Sequence, residues 1–326
     1  MKAAVYRETG SSTVLSVEEI GTPEPGPGEV RVKITFSGVN PTDWKARSGA
    51  TGASPKDFQV PHHDGAGVVD AVGDGVTDRT VGQRVWLYLA AANNPYGTAA
   101  EYSVVPVTRT VPLPHSAPDE LGACLGVPAV TAAHCLGGHP EALAGRHVLI
   151  AGGAGAVGHF AIELAKQAGA RVVTTVSSAE KAELAHAAGA DLVVNYREPG
   201  AIELVRSFAP RMDRIVELAL SANLELDLAV SGPGTLIVVY ASEKNDPVLP
   251  TRRFMTANVS LHYVLLYGVP APEIAEAVAW TSGAVSAGAL TPLPLHLFAL
   301  DDVAAAQDAV ERGALGKVLV VPSLYS

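Results

Sequence analysis

The chain is poor in cysteine, in aromatic residues and in charged residues. It has two cysteines, Cys124 and Cys135, in 326 residues, and both stand among apolar neighbours. Two thiols in a chain of this length do not make a disulfide framework, so we expect buried thiols and a reducing compartment, the cytoplasm. Charged residues make up 17% and aromatic residues 6% of the chain, whereas apolar residues make up 48%. This composition is typical of a globular protein and excludes a disordered one.

The chain also lacks a long hydrophobic run and an excess of positive charge. No stretch approaches the length of a transmembrane helix, and residues 1–8 contain no apolar core of a signal peptide, so we expect neither. The formal net charge is −10, which argues against nucleic acid as the main partner. We therefore expect a small-molecule partner and no membrane.

One glycine-rich segment carries the most specific signal. The apolar run 147–151 predicts a strand, and it leads into Gly153-x-Gly155-x-x-Gly158 and then into a helical pattern. The first glycine permits a tight turn, the second lets a pyrophosphate approach the backbone, and the third lets the helix pack on the strand. The helix N-terminus then offers free N–H groups to the phosphates. An ordinary glycine turn is the weaker alternative, and the segment predicts a dinucleotide site.

The pattern of apolar residues changes along the chain. In the first 120 or so residues, short strand-like runs such as 30–36, 65–73 and 84–88 are separated by Gly and Pro clusters, which indicates a small β-barrel. From about residue 130, strand-like and helical runs alternate, which predicts a parallel sheet. Its expected strands are 148–151, 171–176, 191–195, 214–218 and 236–240.

Short motifs along nearly the whole chain resemble those of one superfamily. They lie at 37–43, 47–49, 64–69, 72–73, 82–85, 148–158, 174–181, 195–198 and 316–318. Together they resemble the medium-chain dehydrogenase/reductase superfamily, and within it the zinc-free quinone oxidoreductase branch of the zeta-crystallin type.

The resemblance implies an α/β fold with a GroES-like β-barrel catalytic domain and a Rossmann domain built on a doubly wound parallel sheet. We expect the catalytic domain over 1–125, the Rossmann NADPH-binding domain over 126–268 and a return to the catalytic domain over 269–326. The resemblance also implies a homodimer that pairs the edge strands of two Rossmann sheets, and the apolar run 259–266 fits such an edge.

The end of the second Rossmann strand predicts which cofactor binds. An NAD site usually places an acidic residue there to hold the ribose hydroxyls. This chain instead has Ser177 and Ser178, with Lys181 one turn later, which suits a 2′-phosphate. A simple helix N-cap and a solvated lysine are the alternatives. We predict NADPH rather than NADH, and the resemblance extends the expected cofactor contacts to Gly153, Ala154, Gly155, Ala156, Val157, Gly158, Ser177, Ser178, Lys181, Tyr196, Asn223, Ala241, Ser242, Val264 and Leu265.

A catalytic metal is not expected. Zinc dehydrogenases of the same superfamily hold their metal on a Cys, a His-Glu pair and a further Cys or His. The matching positions here are Asn40, His63 with Asp64, and the neighbourhood of Val127. One histidine and one carboxylate do not make a zinc site. His62 and His63 are therefore expected in a loop or a pocket wall.

Without a metal, the expected chemistry is hydride delivery from NADPH to an acceptor that is already electron-poor. We expect Asn40 to be the polar group beside the nicotinamide and Thr131 to lie at the same end, although Asn40 also suits a turn and Thr131 a helix cap. Lys45 stands near the place where relatives often have a tyrosine, and it could stabilise an enolate or attract an acidic substrate.

Three functions fit these expectations. The first is an NADPH-dependent quinone oxidoreductase. The second is an NADPH-dependent enone or enoyl reductase that acts on a C=C bond in biosynthesis. The third is an NADPH-binding protein with little turnover. The sequence does not separate the first two.

Overall fold

A computed structural model describes residues 1–52, 54–242 and 246–323. The chain forms two compact units, one of residues 1–127 with 292–326 and one of residues 128–291. The strands are β1 Lys2–Val5, β2 Ser16–Glu19, β3 Glu29–Gly38, β4 Asp64–Val72, β5 Arg84–Leu87, β6 Tyr102–Pro106, β7 Thr110–Pro112, β8 His147–Ala151, β9 Arg171–Val176, β10 Leu192–Asn195, β11 Arg214–Glu217, β12 Leu236–Val239, β13 Ser260–Tyr263, β14 Leu295–Ala299 and β15 Lys317–Val321. The helices are α1 Pro41–Arg47, α2 Asp119–Cys124, α3 Val130–Cys135, α4 Ala156–Gln167, α5 Ala179–Ala187, α6 Ala201–Phe208, α7 Leu220–Val230, α8 Thr251–Ala257, α9 Ala271–Ser286 and α10 Val303–Glu311.

The first unit is built on a mainly antiparallel sheet. Its strand order is β14-β15-β3-β4-β5-β7, and β6 pairs with β3 outside that path. Alternating residues of β3, namely Val30, Val32 and Ile34, point into an apolar core, as the period of two predicts. The C-terminal strand β15 lies between β14 and β3, so the last residues of the chain complete a sheet that the first residues begin.

The second unit contains a parallel sheet of six strands in the order β10-β9-β8-β11-β12-β13. Residues Val148, Leu149 and Ile150 of β8 are fully buried, which is typical of a parallel strand covered on both faces. The strand order reverses between β8 and β11. In sheets of this kind a ligand binds at that reversal, beyond the carboxyl ends of the strands.

The strands of the second unit lie where the alternating pattern predicts them, but its end does not lie at residue 268. Helix α9 packs against α3 and α4, and the unit ends at Thr291. The Thr291 hydroxyl donates to the Glu163 carboxylate of α4, and the Thr291 backbone N–H lies 3.1 Å from the same group. The segment 269–291 therefore belongs to the parallel-sheet unit, because the apolar face of α9 is buried there.

The predicted edge strand is present as β13, the last strand of the parallel sheet. Tyr263 at its end and the nearby Leu265 are exposed. Within the described part of the chain, every helix is too short or too polar to cross a membrane.

Candidate active site

The glycine turn after β8 has the geometry that a phosphate requires. A Cβ on Gly158 would meet the carbonyl oxygen of Gly152 and come within 2.9 Å of the Gly153 Cα. A Cβ on Gly153 would meet the Thr174 hydroxyl. On Gly155 it would have one neighbour, the Gly152 carbonyl oxygen at 3.3 Å, and open space otherwise. Gly153 and Gly158 thus permit close packing, whereas Gly155, the N-cap of α4, keeps the helix N-terminus open.

Two serines and two basic residues lie at the ends of β9 and β10: Ser177 and Ser178 follow β9, Lys181 lies in α5, and Arg197 follows β10. The Lys181 ammonium donates to the Ser177 hydroxyl at 3.1 Å, and Ser178 caps α5 by accepting from the Lys181 backbone N–H at 3.3 Å. Tyr196 follows β10, and its backbone N–H donates to the Val176 carbonyl at 3.1 Å. Ser178 therefore serves as the helix cap that its alternative interpretation suggested, while Lys181 turns toward Ser177.

Arg197 joins this group, and sequence reasoning did not assign it to the site. Its guanidinium carbon lies 5.8 Å from the Tyr196 ring centroid, and its Nη1 reaches toward the Ser177 carbonyl at 3.5 Å. The signal that could have found it is its place directly after β10, which pairs in parallel with β9. The carboxyl ends of neighbouring parallel strands meet at one edge of the sheet, so residues after both strands converge.

The remaining predicted cofactor residues also follow strands of the same sheet. Asn223 lies in α7, directly after β11, and its amide nitrogen donates to the buried Glu217 carboxylate at 2.9 Å. Ala241 and Ser242 follow β12. Val264 is buried after β13, whereas Leu265 is exposed. The parallel topology thus brings all the predicted cofactor residues to one edge of one sheet.

The predicted catalytic residues belong to different units. Thr131 is buried in α3 of the second unit. Asn40 and Lys45 belong to the first unit, where Asn40 is the N-cap of α1 and Lys45 lies within that helix. The Lys45 ammonium lies 5.8 Å from the Trp44 ring centroid, a cation–π contact.

Asn40 is held by charged groups on two sides. The Lys317 ammonium donates to its Oδ1 at 2.6 Å, and its Nδ2 donates to the Asp64 carboxylate at 2.7 Å. An ammonium can only donate and a carboxylate can only accept, so the orientation of the amide is fixed. Lys317, Asn40 and Asp64 are all buried. Lys317 belongs to the motif at 316–318, but its contact with Asn40 was not predicted, because 277 positions separate the two residues.

The residues at the superfamily's metal position do not fit a zinc ion. Asp64 accepts from the Asn40 amide and from the Val127 backbone N–H at 2.7 Å, and the Lys317 ammonium lies 3.6 Å from it. Burial raises the pKa of Asp64 to about 6, against the charge of Lys317, which lowers it. Val127 offers no side-chain ligand, and the described residues contain no group of three potential metal ligands.

A cavity of about 580 Å³ opens in the first unit beside this network. Its wall includes Tyr6, Asp43, Phe58, His62 and His63, whereas Lys45 is not among the lining residues. Burial raises the pKa of Asp43 to about 8 and lowers the pKa of His63 to about 4. Both histidines therefore lie in a pocket wall, as expected.

The backbone of His62 is strained, and the donor and the acceptor in each of its side-chain hydrogen bonds can be assigned. Its φ is +77°, in the left-handed region, and it is fully buried. Arg47 donates to the Gln307 oxygen at 2.6 Å, so the Gln307 nitrogen is the donor to His62 Nε2 at 3.3 Å. His62 Nδ1 then carries the proton and donates to Ser37 at 2.8 Å, and Ser37 donates to Thr98 at 2.8 Å. Burial lowers the pKa of His62 to about 3, in keeping with this neutral tautomer.

Comparisons with known proteins agree with this geometry. Residues 26–115 match the family described as alcohol dehydrogenase GroES-like domain, and residues 156–283 match the zinc-binding dehydrogenase family. The quinone oxidoreductase of Rattus norvegicus is 28% identical over 326 residues, which cover 98% of each chain. The 2-haloacrylate reductase of a Burkholderia species is 31% identical over 339 residues, again covering 98% of each chain.

A solved structure extends the likeness to three dimensions. A mycobacterial protein in complex with NADPH superposes with a TM-score of 0.85 at 29% identity, covering 99% of this chain and 100% of that one. The GroES-like unit and the Rossmann-like parallel sheet are therefore shared over the full length, and the relatives are oxidoreductases. The chain belongs to the medium-chain dehydrogenase/reductase superfamily, in its quinone oxidoreductase branch.

Proposed function

We propose that this protein is an NADPH-dependent quinone oxidoreductase that transfers hydride to a quinone or a similar electron-poor acceptor without a metal. The observation that carries the proposal is the pairing of Lys181 and Arg197 around Ser177, where an NAD-specific site would place a carboxylate. Two cations and a hydroxyl group suit a 2′-phosphate dianion, and a carboxylate there would repel it.

Other residues of the same sheet edge would hold the rest of the dinucleotide. The backbone N–H groups at the start of α4, opened by Gly155, face the pyrophosphate position. Asn223 lies after β11, next to the reversal of strand order, where the ribose of the nicotinamide half is expected. NADPH supplies the hydride when it is bound, and the residues of this chain supply orientation and hydrogen bonds.

Asn40 is the residue we propose to stabilise the reduced acceptor. Its oxygen is engaged by Lys317 and one N–H by Asp64, and among the described residues its second N–H meets no acceptor. That N–H can donate to an oxygen that gains negative charge as hydride arrives. The Lys317 ammonium takes the place of a metal in this arrangement, because it supplies the positive charge beside Asp64 and polarises the amide. Water can supply the one proton that the quinone requires in addition to the hydride.

Oxidation of NADPH tests the proposal directly. We would follow it by absorbance with an aromatic ortho-quinone in the presence of EDTA, with NADH in parallel. Turnover that prefers NADPH and is unaffected by EDTA is the expected result. Loss of activity in EDTA, or a preference for NADH, would overturn the metal-free or the NADPH part respectively.

Reduction of a C=C bond is the second candidate. The observation that favours it is the 31% identity to a 2-haloacrylate reductase, whose named substrate class is an unsaturated acid. The cavity of the first unit has Lys56 in its wall, and a lysine can attract a carboxylate. A panel that adds 2-chloroacrylate and simple enones to the quinones separates the two reactions. Binding of NADPH without hydride transfer to any of these acceptors would favour a binding protein instead.

We also propose that the protein is a cytoplasmic homodimer paired through β13. The edge strand is flanked by exposed apolar side chains, among them Met255, Tyr263 and Leu265. Such an edge is covered in most soluble proteins. Sedimentation of a monomer at micromolar concentration would contradict this proposal.

A further inference from the structure

Two buried carboxyl groups meet beneath the turn between β11 and α7. Glu217 is the last residue of β11, and Asp227 lies in the second half of α7. Both side chains are fully buried and within hydrogen-bond contact of each other. Nothing in the proposed hydride transfer uses either group, so their presence at the reversal of strand order requires a reason.

Glu217 is surrounded by hydrogen-bond donors. Its Oε1 accepts from the backbone N–H of Leu218 at 2.7 Å, from the backbone N–H of Ala219 and from the Asn223 amide at 2.9 Å. Its Oε2 lies 3.1 Å from the same amide nitrogen. A carboxylate that accepts several N–H groups is stabilised in its ionised form. Glu217 is therefore the charged member of the pair.

Asp227 is in the opposite situation. Within residues 1–52, 54–242 and 246–323, neither of its carboxyl oxygens meets a donor. Ionised, it would be a second buried negative charge beside Glu217 with nothing to stabilise it. Protonated, it can donate to the Glu217 carboxylate. Burial, together with the charge of Glu217, raises the pKa of Asp227 well above its usual range.

The charge on Glu217 determines which way the Asn223 amide points. Because both short contacts of Asn223 run from its nitrogen to Glu217, its oxygen lies on the other arm of the amide. That oxygen has no partner in the described part of the chain, and the side chain is half-buried. It is an oriented acceptor at the carboxyl end of β11, where a dinucleotide ribose is expected.

We propose that Glu217 and Asp227 are positioning residues of the dinucleotide site: Asp227 donates a proton to Glu217, and the single remaining charge holds the Asn223 amide so that its oxygen accepts from a ribose hydroxyl. The inference rests on the proposed cofactor function and adds a proton-sharing pair to it.

Infrared spectroscopy tests the shared proton. At neutral pH the wild-type protein should show C=O stretch absorption from protonated buried carboxyl groups, Asp43 among them, and Asp227→Asn should remove one component band of that absorption. Glu225→Gln is the matched control, because Glu225 lies in the same helix but is exposed and paired with Arg253, so the band should persist. An absorption that Asp227→Asn leaves unchanged would overturn the assignment of the proton.

Nucleotide titration, followed by NADPH and NADH fluorescence, tests the positioning role. Asn223→Leu and Glu217→Gln should each weaken both nucleotides about tenfold, since each removes the same oriented hydrogen bond. The double variant should be no weaker than Asn223→Leu alone, because the effect of Glu217 acts through Asn223.

The outcomes separate this inference from the proposed function. A wild-type protein that binds neither nucleotide would contradict the proposed function itself. A wild-type protein that binds, with Asn223→Leu equally tight, would contradict only the positioning role, and so would losses that add in the double variant. Asn223 is half-buried, so its variant gives an answer even if Glu217→Gln does not fold.

Discussion

The buried side chain of Lys317 holds Asn40 and Asp64 together in the polar interior of the first unit. Its ammonium is buried against Asn40 and Asp64, and removal of one partner from such a group leaves the other charge uncompensated. We expect Lys317→Met to lower the free energy of unfolding by about 3 kcal/mol or more, measured by urea denaturation. Lys33→Met is the control, since Lys33 is exposed on β3 and its loss should cost less than about 0.5 kcal/mol. Equal losses would show that the buried ammonium contributes nothing.

His62 makes the stability of the protein depend on pH in a direction that can be worked out. Its pKa is about 3 in the folded chain and about 6.5 when unfolded, so between those values the unfolded state binds more protons. Its contribution to stability is complete above the unfolded pKa and is lost as the pH falls toward 3.

His62→Asn isolates this contribution, because asparagine tolerates the left-handed backbone best among polar residues. From about pH 6.5 down to about pH 4, the wild-type protein should lose stability relative to the variant by about 1.4 kcal/mol per pH unit. Asp43, His63 and Asp64 are present in both proteins, so their titrations largely cancel in the difference. Parallel curves of stability against pH would show that His62 is not buried in its neutral form.

Lys181 determines the choice between the two nucleotides if the proposed site is correct. We expect Lys181→Ala to weaken NADPH about 10-fold to 100-fold and to leave NADH nearly unchanged, since only NADPH carries the 2′-phosphate. Fluorescence titration measures both affinities. Lys166→Ala is the control, because the Lys166 ammonium is held by Asp191 at 2.7 Å. Equal weakening of NADPH and NADH by Lys181→Ala would place the 2′-phosphate elsewhere.

At the scale of elements, the glycine turn separates packing from ligand binding. A methyl group on Gly158 would meet the Gly152 backbone, so Gly158→Ala should destabilise the fold by about 1–3 kcal/mol. Gly155 has φ −79°, which alanine adopts easily, and the added methyl group would lie 3.3 Å from one backbone oxygen. Gly155→Ala should therefore remain folded yet bind NADPH at least about tenfold more weakly, because the methyl group occupies phosphate space. Thermal unfolding and titration of both variants check the two effects, and equal affinities for Gly155→Ala and the wild type would remove the phosphate from this turn.

The elements of this chain were predictable where local patterns determine them. The strand, glycine turn and helix over 147–167 follow from apolar periodicity and three glycines, and the parallel strands follow from alternation. The end of the second unit was not predictable, because the apolar face of α9 fits a helical neighbour in either unit and the sequence does not say which. The contacts of Lys317 were not predictable for the same reason. Its partners are distant in the chain, and the apolar pattern around it in β15 is that of an ordinary strand.

The residues of the candidate site likewise fall into those that local patterns predict and those that only the folded structure reveals. Ser177, Lys181 and the glycines could be found because each occupies a fixed position relative to a strand end. Arg197 and Glu217 needed the topology, since their importance comes from which strands lie side by side. Asp227 needed the packing as well, because only burial without a donor distinguishes it from the other acidic residues of the chain.

At the scale of the whole molecule, the two units differ in how they are assembled from the chain. The second unit is continuous over 128–291 and has its own apolar core, with Leu149, Val173, Ile215 and Ile237 among its fully buried residues. The first unit is discontinuous, and its sheet places β15, from the end of the chain, against β3. Its buried polar groups also come from both parts of the chain, because Lys317 and Gln307 of the C-terminal segment hold Asn40 and His62.

This difference predicts how each part behaves alone. A fragment of residues 128–291 should unfold cooperatively in urea and retain NADPH binding within about tenfold, since all the proposed dinucleotide contacts lie in it. A fragment of residues 1–127 should not fold, because β3 would lose its neighbour β15 and the carboxylate of Asp64 would be buried without Lys317. Addition of the peptide 292–326 to the fragment 1–127 should restore cooperative unfolding, because the peptide supplies both strand β15 and the Lys317 ammonium. Cooperative unfolding of 1–127 without that peptide would show that the polar interior forms independently of the C-terminal segment, and the role assigned to Lys317 would then be wrong.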